Sequence, residues 1–171
     1  MSSIIKVDTI QNAAGTTGLT IDSNGVVSKG VVPAWNCSLT SLQALTDVGL
    51  WNTVAFDKTT GGQHFIQGGC TLSSNKITVP VSGIYQINST LRVDGIGSGY
   101  IIMSLSINGS DAEDNITYVI DGTASPTYTN LNASEIYKLD ANDTVEVKFL
   151  TQVDSSYTIS TISSFSGALV G

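Results

Sequence analysis

From Ile77 to Val93 apolar and polar residues alternate almost without a break. Odd positions carry Ile77, Val79, Val81, Gly83, Tyr85, Ile87, Ser89, Leu91 and Val93. Even positions carry Thr78, Pro80, Ser82, Gln86, Asn88, Thr90 and Arg92, with Ile84 as the one apolar intrusion. A helix would scatter these apolar side chains around its axis, whereas a strand puts them on one face, so the period selects β structure with one side buried. Pro80 cannot donate to a central ladder and Ser82-Gly83 is turn chemistry. The run therefore reads as two strands, about 76–79 and 84–93, joined by a tight corner.

The same period returns at Ile101, Met103, Leu105 and Ile107, closed by Asn108-Gly109. It returns again at Val145, Val147, Phe149, Thr151 and Val153, opened by the turn Asp140-Ala141-Asn142-Asp143. Further strands are expected at 34–40, 51–57, 62–72, 116–120, 126–139 and 157–170. Leu42, Ala44, Leu45 and Val48 suit a helical turn but span too few residues for a stable helix. About eight to ten strands at this spacing predict an all-β fold, an antiparallel sandwich or jelly roll. Within it, Trp35 and Trp51 would either fill the sandwich or cover its N-terminal end.

Residues 1–33 read differently. A short strand, Ile4-Ile5-Lys6-Val7, precedes a stretch rich in Gly, Ala and Thr, and then Leu19, Ile21, Val26 and Val27 flank an Asn24-Gly25 turn. With Ile10, these apolar groups are too few for a core and too many for a solvated tail. They predict an extended arm with a hairpin that needs a partner surface.

Composition narrows the partners. The polarity comes from uncharged groups, 22 Ser, 20 Thr and 11 Asn, while charged residues make up only 12%. The net charge is −7 and the seven Lys and Arg are scattered singly, so no basic patch to neutralise a phosphate backbone and no nucleic-acid partner are expected. No apolar run approaches a membrane span, and the opening MSSIIKVDTIQ lacks the apolar region of a secretory signal, so neither a membrane partner nor export is expected. Cys37 and Cys70 could close a loop of about 30 residues, worth roughly 3–4 kcal/mol as a disulfide. In a reducing cytosol two buried free thiols are the expected state. With Ser and Thr so abundant, the six Asn-x-Ser/Thr sequons carry no argument for glycosylation.

Catalytic chemistry is not expected. His64 is the single histidine, and no Gly-x-Ser-x-Gly elbow accompanies it. No phosphate-binding loop opens a helix and no cofactor is implied. Asp111, Glu113 and Asp114 follow the Asn108-Gly109 turn and offer oxygen ligands to calcium, but without EF-hand spacing a solvated loop is the expectation. Asp140 and Asp143 read as turn-makers that bond nearby amides.

Four pieces in order carry a resemblance. Thr78-Val-Pro-Val-Ser-Gly-Ile-Tyr-Gln-Ile87 resembles the strand signature of the complement globular-head and tumour-necrosis-factor jelly rolls. Trp51-Asn-Thr-Val-Ala-Phe56 is similar to that family's early strand, Leu139-Asp-Ala-Asn-Asp-Thr-Val-Glu-Val147 to its turn and Val-x-Val strand, and Ser164-Phe-Ser-Gly-Ala-Leu169 to its closing strand. Asn142-Asp143 stands where the family often has Gly-Asp. The resemblance covers residues 34–171 and implies an antiparallel jelly-roll sandwich of about ten strands. It implies a homotrimer with one sheet of each subunit facing the three-fold axis. It also places Tyr85, Phe149 and Phe165 on that inner sheet, as core or trimer interface. The opening of the arm is similar to the N-terminus of tailed-bacteriophage virion proteins.

Together these features lead us to expect a non-enzymatic bacteriophage virion structural protein, assembled in the host cytoplasm. It would be a capsid decoration or cement trimer whose arm binds other virion proteins such as the major capsid protein. The alternative is a short tail fibre or fibre tip that binds a host receptor or glycan through loops at 94–100, 108–115 and 121–130. Gly97, Tyr100, Asp111, Tyr118 and Tyr128 are the contact candidates there. A secreted complement-like or cytokine-like ligand would require an export signal that the opening does not contain.

Overall fold

The computed structural model describes residues 7–11, 13–14, 17–45, 48–95, 99–110, 116–122, 128–151 and 157–171; for 17, 28, 29, 99 and 116–122 it describes the backbone alone. All the strand pairing is antiparallel, and the chain divides into two units at residues 32 and 33.

The first unit is a three-stranded sheet of β1 (Thr9–Gln11), β2 (Thr17–Ile21) and β3 (Val27–Lys29) in the order β1-β2-β3. The expected hairpin is present. The Asp22 carboxylate accepts from the amides of Asn24 and Val26 at 2.9 and 2.8 Å, and Gly25 takes a positive φ of 79°. Residues 4–6 of the strand expected at Ile4–Val7 lie outside the described set, and Val7 itself is not in a strand. The ladder runs out beside Asp8, whose carbonyl receives the amide of Ile21, the last residue of β2.

The second unit contains β4 (Ala34–Ser38), β5 (Gln43–Ala44), β6 (Trp51–Thr53), β7 (Phe65–Gln67), β8 (Thr71–Ser73), β9 (Lys76–Thr78) and β10 (Gly83–Asp94). It continues through β11 (Gly99–Ile107), β12 (Ile116–Gly122), β13 (Tyr128–Leu139), β14 (Thr144–Thr151), β15 (Thr158–Ile159) and β16 (Ser164–Leu169). One sheet runs β13-β10-β16-β4-β7, with β15 and β5 continuing beside β10. The other runs β12-β11-β14-β9-β8, with β6 also beside β14. This is an all-β, jelly-roll sandwich.

The long alternating run supplies both layers. Its first part is β9 in the second sheet and its second part is β10 in the first, so the Pro80–Ser82 corner carries the chain across the sandwich. Tyr85 pins that corner by donating its hydroxyl to the Val81 carbonyl at 2.9 Å. Three expected strands are cut by local backbone. The segment 62–72 breaks into β7 and β8 because Gly68 and Gly69 turn left-handed, at φ 64° and 86°. The segment 157–170 breaks at a turn closed by the Ser163 amide on the Ser160 carbonyl. The segment 51–57 ends as a strand at Thr53, where the Phe56 amide curls back onto the Val54 carbonyl. The stretch from Ser41 contains no helical turn among its described residues; β5 pairs with β15 instead. These divisions raise the number of strands without changing the class.

The core joins the odd-numbered face of β10 to the partner sheet. Trp35 packs edge-on against Phe165 at 5.6 Å between centroids, and Phe56 meets Phe165 at 5.5 Å. Trp35 lies over Gly167 on the neighbouring strand, where a methyl group would overlap the indole. Gly167→Ala should therefore cost about 1–3 kcal/mol by overpacking, read as a lower urea midpoint at unchanged slope. An unchanged midpoint would mean that the indole can shift freely.

Cys37 and Cys70 are free and buried, and burial pushes both thiols up to about 11. At pH 8 only about one thiol in a thousand would be ionised. A thiol-reactive chromophore should stay silent with the folded protein at that pH and titrate both cysteines after unfolding in denaturant. Prompt labelling of the native protein would contradict the burial.

Candidate functional site

Four of the residues expected to anchor the arm leave much of their apolar surface uncovered. Val7 is 41% exposed, Ile10 49%, Val26 59% and Val27 57%, while Leu19 and Ile21 are half-buried. Val31 is also exposed. Ile4 and Ile5 lie outside the described residues. Strands of three to five residues offer too little area to bury these groups on one another.

Tyr85, Phe149 and Phe165 are core residues of the single chain. Phe149 does not share a sheet with the other two: it sits on β14 in the opposite layer, because Val145, Val147 and Phe149 form the inner face of that strand. Trp35 also fills the core, whereas Trp51 is half-buried at the β6–β14 edge.

Among the loop candidates, Tyr100 is half-buried on β11 and Tyr128 is 48% exposed at the start of β13. The Arg92 guanidinium sits over the Tyr128 ring at 4.3 Å and pairs with Asp94 at 2.8 Å, so this aromatic face is already occupied. Tyr118 belongs to β12, of which only the backbone is described. Gly97, Asp111, Glu113 and Asp114 lie outside the described residues, and no metal-binding cluster is present among those described.

The outer face of the first sheet was not singled out from the sequence. Registers across β4, β16, β10 and β13 align its even-numbered residues in transverse rows. Asn36, Ser166, Asn88 and Ser134 form one row, and Ser38, Ser164, Thr90 and Asn132 form the next. Neighbours bond along these rows. Thr90 donates to Asn132 Oδ1 at 2.9 Å, Ser134 donates to Asn88 Oδ1 at 2.8 Å, and Gln86 Nε2 donates to the Ser134 hydroxyl at 3.1 Å. These two rows carry no charge. Ile136 stands opposite Gln86 and is 64% exposed. Toward β7, a shallow cleft of about 390 Å³ between Phe65, Asn36 and Val170 continues the same face.

Two further clusters carry chemistry-bearing groups. Ser38 Oγ lies 3.3 Å from His64 Nε2, a pair 26 residues apart in sequence. It does not make a hydrolytic triad: Ser38 is 4% exposed within a ladder, and His64 Nδ1 finds no hydrogen-bond partner among the described residues. No carboxylate fixes the imidazole as a general base requires.

On the second sheet, the carboxylate of Glu146 is 1% exposed. It accepts from Thr53 Oγ1 at 2.8 Å and has Lys76 Nζ at 2.9 Å and Lys148 Nζ at 3.9 Å. Lys76 approaches Oε1 off the angle of a hydrogen bond, so charge holds that oxygen. Lys148 also donates to the Gly109 carbonyl at 3.2 Å, tying the 108–109 turn to β14. The two lysines balance the buried charge, and the cluster braces the sheet.

No known family model matches the chain, and no curated protein matches it.

Glu146→Ala would remove the buried carboxylate that Thr53, Lys76 and Lys148 surround and should destabilise the fold by about 3 kcal/mol. Chemical denaturation measures this directly. A loss below about 1 kcal/mol, the range of a surface pair, would show that water reaches the cluster.

Proposed function

We propose that the chain is a non-enzymatic virion structural protein of a tailed bacteriophage: a homotrimeric jelly-roll head that decorates the capsid and attaches through residues 1–33. The observation that carries this reading is the uncovered apolar surface of Val7, Ile10, Val26 and Val27 on a sheet too small to bury it. Such an element gains stability when its strands and side chains are covered by another protein, such as the major capsid protein. A cement trimer would act by mass action, binding the assembled lattice in preference to loose subunits.

The uncharged rows on the β10–β13 half of the outer face, flanked by Lys138 at one end and the Arg92–Asp94 pair at the other, support self-association. These Asn, Ser and Thr rows can meet a copy of themselves without like-charge repulsion, and Ile136 supplies apolar contact. Around a three-fold axis that face would pack against its symmetry mates. A short tail fibre or fibre tip would use the same trimer at lower copy number. Assembly in the host cytoplasm agrees with two thiols kept unpaired.

Light scattering of the full chain should give about 53 kDa, three chains of 17.8 kDa. Deleting residues 1–33 should leave a folded trimer that no longer attaches to particles, whereas trimming 108–115 should leave attachment intact. Copy number then separates the two locations: hundreds per particle mean capsid, a few dozen or fewer mean tail. A monomeric chain, or an armless head that decorates particles normally, would overturn the proposal.

A further inference from the structure

The β4 margin of the first sheet holds a polar cleft of about 450 Å³, bounded by β4, the segment from Lys58 to His64 and the turn before β16. It lies on the side of the sheet away from β13, so its role does not depend on how the chain is anchored or whether the β10–β13 half is an interface.

Three tethers hold its walls. Ser38 and Lys58 exchange backbone hydrogen bonds, Ser38 N to Lys58 O at 3.1 Å and Lys58 N to Ser38 O at 2.9 Å. Asn36 Nδ2 donates to the Gln63 carbonyl at 3.0 Å, fastening the loop to the strand. Gly61 and Gly62, at φ 85° and 61°, turn the chain so that the His64 amide reaches the Gly61 carbonyl and the imidazole meets Ser38. A cleft held in this way does not have to be ordered by its ligand.

The lining has a particular chemistry. Lys58 forms none of the ion pairs found among the described residues, which join Lys76 and Lys148 to Glu146 and Arg92 to Asp94. Around it stand Thr161 and Ser164, the bonded Ser38–His64 pair, and the exposed Ile162. Hydroxyls both give and accept hydrogen bonds, as a polyhydroxylated ring requires, and an isoleucine can lie against ring C–H groups.

Charge narrows the ligand further. The neighbouring Asp57 carboxyl is held below its ordinary range: burial pushes it up, but hydrogen bonds from the Thr40 hydroxyl and from the amides of Thr40, Asp57 and Lys58 more than offset that. Its negative charge persists near neutral pH beside the cleft's single lysine, which leaves no surplus positive charge to hold a phosphate dianion.

We propose that this cleft binds the acidic sugar of a glycan, with the sugar carboxylate on Lys58 and its ring hydroxyls on Thr161 and Ser164. Its volume falls within the range of small-molecule sites and accommodates a monosaccharide unit. The carboxylate supplies a charge-assisted bond and the hydroxyls supply selectivity, since an unmatched polar group in the cleft would be left desolvated.

His64, the single histidine, gives one imidazole signal set, so NMR of the full chain reports on this cleft without assignment ambiguity. Glucuronate should shift that signal saturably with a millimolar Kd, while glucose and inorganic phosphate should bind at least about tenfold more weakly. Lys58→Met, at an exposed position whose backbone bonds are unaffected, should weaken glucuronate at least about tenfold, and Lys58→Arg should restore most of the affinity. No saturable shift with glucuronate would overturn the proposal. So would phosphate binding as tightly as glucuronate, or Lys58→Met binding unchanged while its dispersed spectrum shows it folded.

Discussion

The packing of Trp35 against Gly167 and Phe165 is the contact on which the sandwich depends. β4 and β16 are the first and last strands of the second unit, and no local turn brings them together. A glycine at 167 lets the indole lie directly over the neighbouring backbone, and the ring then reaches both Phe165 and Tyr85. Tyr85 in turn holds the corner at Val81, where the chain passes between sheets. One buried ring thus links chain closure to layer crossing. The indole nitrogen is left without a partner among the described residues, a cost of about 1–3 kcal/mol that the surrounding aromatic contacts must offset.

The two outer faces of the sandwich solve different problems with polar residues. On the first sheet, Asn88, Thr90, Asn132 and Ser134 bond across strands, so these two rows are already satisfied and present a neutral band between Lys138 and the Arg92–Asp94 pair. On the second, Ser104, Ser106, Glu146 and Lys148 are all buried, and opposite charges and carbonyls do the satisfying. The first arrangement leaves room for another surface to approach; the second stiffens the sheet from within.

The sequence was most legible where one face meets water. Gln86, Asn88, Thr90 and Arg92 alternate with buried residues along the whole of β10, and its bounds came out within a residue or so. Alternation names the residues that share a face but not the sheet that owns them, which is why Phe149 was placed with Tyr85 and Phe165 and stands opposite them. It also reads polarity as exposure, and so misses Ser104 and Glu146, which are polar yet covered by neighbours distant in the chain. The cleft at His64 was illegible for a related reason. Ser38 and His64 meet only because Gly61 and Gly62 reverse the chain, and the pairing leaves no local pattern. The arm's hairpin was readable from Asn24-Gly25, whose turn chemistry is entirely local.

The pairing of β4 with β16 also has a mechanical meaning. Ala34 lies opposite Ala168, and the Leu169 amide bonds to the Pro33 carbonyl, so residue 33 and the end of β16 leave the sheet side by side. Tension between these two points would peel the strands apart rung by rung, each hydrogen bond taking the whole load in turn, instead of shearing the ladder all at once. A domain of this build yields most readily when it is pulled between residue 33 and the end of β16.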